Sequence, residues 1–158
     1  MNKLLSSTLF ILMLSTVCTA QQQRVTVQLN QRFQYQFEQD ENGWSASRSI
    51  LYRDTLANLN PVRTVDLIPT GTEWEEFDFM ISHLSIFDLP DQADIENRKR
   101  PIQPGGNFIR FQVYDGNTTR TFSYENPVSE LADYWQVKNV FTFITYVLQD
   151  FEAAFEGM

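Results

Sequence analysis

"RVTVQLNQRFQYQFEQ", residues 24–39, alternates apolar and polar side chains with a period of two. Val25, Val27 and Leu29 share one face and Phe33, Tyr35 and Phe37 the next, while Thr, Gln and Arg occupy the positions between. Successive side chains of a strand point to opposite faces, so the stretch predicts antiparallel strands packed on one side and wetted on the other. "DENG" at 40–43 is a turn signal, after which Trp44 to Tyr52 can pair back as a third strand. "ANLNPVRTVDLIPTG", 57–71, reads as a loop and a fourth strand near Val62 to Ile68, ended by Pro69 and Gly71.

The period then changes. In "TEWEEFDFMISHLSIF", 72–87, Trp74, Phe77, Ile81 and Leu84 fall on one helical stripe. Thr72 with Glu75 three residues on predicts a capping box, and the acidic first turn complements the helix dipole. From Asp91 to Asn107 the chain is polar and broken by Pro101, Pro104, Gly105 and Gly106, which predicts the longest loop. "NFIRFQVYDGNTTRTFSYENP", 107–127, is the clearest hairpin. A two-residue turn at Gly116-Asn117 sets Phe111 opposite Phe122 and Ile109 opposite Tyr124. Ser129 is the expected N-cap of a long final helix whose stripe is Tyr134, Val137, Phe141, Ile144, Leu148, Phe151 and Phe155. That spacing is coiled-coil-like but also suits a helix lying across the protein's own sheet.

The expected fold is therefore α+β: an antiparallel sheet of about five or six strands with two helices packed on one face, over residues 21–158. No glycine-rich strand-to-helix turn is present, which argues against a doubly wound nucleotide fold.

Residues 1–20 have the layout of a cleaved secretory signal. Lys3 precedes an apolar, hydroxyl-interrupted run from Leu4 to Val17, and small residues close the segment at Thr19-Ala20. Cleavage after Ala20 removes Cys18, the only cysteine. The rival reading, lipid anchoring at Cys18, fits less well, because Val17 is large for the position before a lipobox cysteine and Leu14 comes one place early. The expectation is an exported protein, periplasmic or extracellular, whose mature domain has no cysteine and no transmembrane segment. The 13 Phe, 6 Tyr and 3 Trp are enough to hold such a domain together by packing. The net charge of −8 repels nucleic acid and favours a basic partner.

Catalytic signatures are sparse. His83 is the only histidine, no G-x-S-x-G elbow accompanies it, and its place beside Leu84 on an amphipathic helix reads as structural. One histidine without cysteine does not make a zinc site. Glu73, Glu75, Glu76 and Asp78 could supply a carboxylate pair for hydrolysis, but read more simply as charge complementing a helix start; EF-hand spacing is absent. Tyr134 and Lys138 have Y-x-x-x-K spacing without the dinucleotide fingerprint that chemistry needs. Arg98-Lys99-Arg100 is a small basic island expected on a solvated loop, and Asn117-Thr118-Thr119 is a glycosylation sequon at a hairpin tip.

No residue is assigned as catalytic, cofactor-binding or metal-ligating. The expected function is an exported, non-catalytic binding or accessory protein that meets a protein partner through strand edges, the 91–107 loop or the hairpin tip. One version is an inhibitor of a basic secreted enzyme, drawn in by the acidic helix start. The alternatives are a small-ligand carrier with an aromatic pocket and a carboxylate-dependent hydrolase using Glu75, Glu76 or Asp78.

Overall fold

The computed structural model describes residues 22–99 and 101–151. Strands β1 (Gln23–Leu29), β2 (Phe33–Asp40), β3 (Gly43–Arg53) and β4 (Leu59–Leu67) run as an antiparallel meander. Helix α1 (Trp74–His83), the hairpin of β5 (Phe108–Tyr114) and β6 (Thr119–Glu125), and helix α2 (Trp135–Phe151) follow. The sheet order is β4-β3-β2-β1-β5-β6, so the first strand lies inside the sheet and joins the meander to the later hairpin.

The alternation at 24–39 sorts as its period dictates. Val25, Val27, Tyr35 and Phe37 are fully buried with Phe111, Val113, Phe122 and Tyr124 on the face that both helices cover. Arg24, Thr26 and Gln28 lie beside Glu38, Gln36 and Gln34 on the other face. The β5–β6 register is the expected one, with Phe111 paired to Phe122 and their rings stacked 4.9 Å apart. Asp115 fixes the turn by accepting the Asn117 and Thr118 N–H groups, both at 2.8 Å.

Aromatic rings fill the space between sheet and helices. Phe77 of α1 sits 4.7 Å from Phe37, 5.3 Å from Trp44, 5.4 Å from Trp74 and 5.8 Å from Phe151 of α2. Phe37, Phe77, Phe143 and Phe151 are all fully buried. These rings form one packed core cluster.

Three local expectations are corrected. The N-cap of α1 is Glu73, without a side-chain cap bond, so the Thr72–Glu75 box does not form, although Glu75 and Glu76 do occupy the first turn. Ser129 does not cap α2. It lies in a separate 3-10 turn, Pro127–Glu130, entered from Asn126 at φ 48°, and its hydroxyl donates to the Asn126 carbonyl. The buried side of α2 is Val137, Val140, Phe143, Ile144, Val147, Asp150 and Phe151, while Phe141 is exposed and Leu148 half-buried. The helix is apolar around much of its circumference, so packing across the sheet keeps Tyr134, Val137, Ile144 and Phe151 of the expected stripe and shifts the buried side toward Val140, Phe143 and Val147. Phe155 lies outside the described residues.

Candidate functional site

The two edges of the sheet are treated differently. At β6 the returning chain seals the edge with side chains. Asp91 accepts the Ser123 N–H at 2.9 Å. Gln92, 1% exposed, accepts the Glu125 N–H at 2.6 Å and donates to the Glu125 carbonyl at 3.1 Å, copying the two bonds of a neighbouring strand. Arg120 donates to the Phe87 and Leu89 carbonyls, and the Tyr124 hydroxyl donates to Pro90. Burial, and then the charge of Asp91, push the Tyr124 phenol well above its ordinary pKa.

The seal is itself held from beneath. Gln92 also donates to Glu130 at 3.0 Å, and Arg98 closes on the other Glu130 oxygen at 2.6 Å while donating to the Gln92 carbonyl. Arg98 lies over the Tyr134 ring at 5.3 Å, and the Tyr134 hydroxyl accepts the Lys99 N–H at 2.6 Å. The basic island is thus split: Arg98 turns inward, whereas Lys99 stays exposed on the loop. Arg98 is an interior clamp on a buried carboxylate, Lys99 approaches Asp133 at 3.6 Å, and Arg100 lies outside the described residues. The first part of the 91–107 loop is fixed structure, with a 3-10 turn at Gln92–Asp94 and a buried Ile95.

At β4 nothing comparable is present among the described residues. β4 pairs with β3 alone, and six of its nine residues are exposed. Pro61 and a bulge that leaves Val62 without a partner on β3 mark its first half. Beyond them the β3–β4 turn carries Tyr52 and Leu56, the latter 81% exposed. Asp54 holds that turn rigid by accepting the Leu56 and Asn58 N–H groups at 2.8 Å. The hydrogen bond from the Asn58 backbone holds its carboxyl below the ordinary aspartate range.

At its far end β4 stops short. The β3–β4 ladder ends at Ala46–Leu67, whereas the β2–β3 ladder continues to Asp40–Gly43. Gly43, Trp44 and Ser45 therefore carry a strand edge with no strand beside it. A cleft of about 490 Å³ opens there, walled by Trp44 and Trp74, by Ile68 and Pro69, and by the carboxylates Glu38 and Asp66 with Gln36, Ser45 and Ser47. Ile68 is 75% exposed at its lip. Open backbone, two indoles and two acids form a site that can take an extended peptide with apolar and basic side chains. Clefts of this size are in the range used for ligands.

The remaining sequence candidates are scattered. Glu73, Glu75, Glu76 and Asp78 are exposed on the start of α1, and Asp78 accepts the Trp44 indole N–H at 3.3 Å, bracing the cleft wall. His83 is exposed rather than part of the buried stripe and stacks on Phe79 at 5.4 Å. Tyr134 is buried just before α2 and Lys138 is exposed. Asn117 is exposed at the hairpin tip, and Cys18 lies outside the described residues. Among the described residues no three His, Cys, Asp or Glu side chains gather to hold a metal ion, and no helix is long and apolar enough to cross a membrane. Sequence reading missed the cleft because it depends on where β4 ends against β3; the only signal was Pro69 directly after an apolar run. No known protein family, curated protein or solved structure matches the chain.

Proposed function

We propose that the chain is an exported, non-catalytic binding protein that engages a partner polypeptide along the β4 edge and its end cleft. The observation that carries this reading is the asymmetry of the sheet: side chains close the β6 edge at Ser123 and Glu125, whereas Pro61 and the bulge blunt only the first half of β4 and leave the edge open from Arg63 onward and at the end of β3. Natural sheets cover, blunt or charge an edge they do not use. An added strand gains main-chain hydrogen bonds from the edge and specificity from the pocket beside it. The signal-like layout of residues 1–20 supports export, and the acids of the cleft and of the α1 start favour a basic segment.

The test compares what the wild-type protein and a Val65→Lys variant retain from the exported fraction of the source cells. Val65 is half-buried in mid-β4, where lysine keeps its stem on the sheet and adds a charge to the edge. A partner held by the wild type and lost from the variant supports the reading. A partner held equally by both refutes the edge as the binding element.

A further inference from the structure

Resting on that edge reading, we infer that the polypeptide β4 accepts is β4 of a second copy, in an antiparallel, two-fold pairing centred on Val65. The argument lies in the stretch "PVRTVDLIP", residues 61–69. Its two prolines lack the N–H a ladder requires and sit four residues to either side of Val65, so pairing about that residue stops at the same point in both directions. Of the four pairings between them, three match in character, and the fourth sets Arg63 opposite the buried Leu67. Val62, 69% exposed, falls opposite Ile68, 75% exposed, and these aliphatic side chains have little else to cover them. Thr64 falls opposite Asp66, a hydroxyl beside a carboxylate. Val65 meets itself.

The faces agree as well. Val65 and Leu67 pair with Arg48 and Ala46 on the helix side of the sheet, and Thr64 and Asp66 with Ser49 and Ser47 on the outer side. Between Arg63 and Leu67, past the bulge, a two-fold axis perpendicular to the sheet through Val65 pairs only residues of like face, so the helices of both copies lie on one side of a continuous sheet. Shifting the register by one residue would set the helix side of one copy against the outer side of the other.

Charge supports the same arrangement. Arg53 and Arg63 lie toward the start of β4, where Asp54 is taken up by its own turn, and Glu73, Glu75, Glu76 and Asp78 follow its end. Antiparallel pairing lays the basic end of each copy beside the acidic end of the other and brings the exposed Leu56 turn toward the other copy's Trp44–Trp74 cleft. The interface is isologous, the commonest form of homodimer.

A single cysteine tests the geometry, because Cys18→Ser leaves an introduced thiol alone. Facing residues on antiparallel strands have Cα atoms about 4.5–5.5 Å apart, within disulfide reach. In that background Val65→Cys should cross-link to a dimer under mild oxidation at least tenfold faster than Thr119→Cys on the sealed edge. Light scattering should find a concentration-dependent dimer for the wild type and a folded monomer for Val65→Lys. A wild type that stays monomeric, with both cysteines cross-linking at equal rates, overturns self-pairing. So does a dimer that survives Val65→Lys. If the monomeric wild type still holds a different partner that Val65→Lys loses, self-pairing fails and the edge reading stands; if that partner is kept, both fail.

Discussion

Replacing Gln92 by alanine tests how the β6 edge is closed. The Gln92 side chain is almost fully buried and makes three hydrogen bonds, two to the Glu125 backbone and one to the Glu130 carboxylate. Alanine leaves the Glu125 N–H and carbonyl without those partners and takes one donor from a buried acid. Neutral bonds contribute about 0.5–1.5 kcal/mol and one to a charged group about 1.5–3, so the expected loss is about 3–5 kcal/mol. Urea unfolding should show it as a midpoint lowered by roughly 2 M at an m of about 2 kcal/mol/M, with m unchanged. Hydrogen exchange supplies the local readout: the Glu125 amide should lose protection in the variant while Val27 and Phe37 in the sheet interior keep theirs. Gln92→Glu keeps the acceptor but sets an acid against Glu130, and should cost more than alanine at neutral pH. A loss below about 1 kcal/mol, with the Glu125 amide still protected, would refute the claim that this side chain stands in for a strand.

Three further outcomes are expected. Phe77→Ala removes a ring in contact with Phe37, Trp44, Trp74 and Phe151 and should cost about 3–5 kcal/mol by denaturant unfolding, whereas Phe79→Ala, at an exposed position, should cost well under 1. Arg98→Ala strands the buried Glu130 carboxylate and should cost about 3–5 kcal/mol, while replacing Arg98 and Glu130 together by methionine should recover much of it; equal losses would show that the pair is not coupled. The raised pKa of Tyr124 means that the unfolded chain gives up this proton first, from about pH 10. Stability should therefore fall as pH rises beyond that point, and more gently in Tyr124→Phe; identical alkaline slopes would contradict the buried hydroxyl.

Much of the architecture is legible because it rests on local chemistry. Alternation at 24–39, the Asp115-Gly116-Asn117 turn and the Phe77–Ile81 stripe each depend on neighbours within a few residues. What the sequence leaves open depends on partners far along the chain. Arg98 reads as a surface cation until Glu130 and Tyr134 come beside it, and Gln92 reads as a loop residue until the Glu125 backbone arrives. Ser129 has the chemistry of an N-cap, but the 3-10 turn that buries Glu130 delays the helix to Trp135. The cleft is harder still to foresee, since it is made by the length of β4 relative to β3 and not by any motif.

The interior position of β1 also sets an order on folding. The four-strand meander closes through short turns, and so does the β5–β6 hairpin, yet the two halves join only when Leu29 meets Ile109 and Arg24 meets Tyr114. That seam carries the largest loop-closure cost of any strand pairing in the sheet, and non-local pairing of this kind slows folding. Truncations at Val27 or Phe111 should therefore retard refolding, while truncations in the β3–β4 turn should mainly hasten unfolding. However early the meander forms, its sheet stays incomplete until the segment around Ile109 docks on β1.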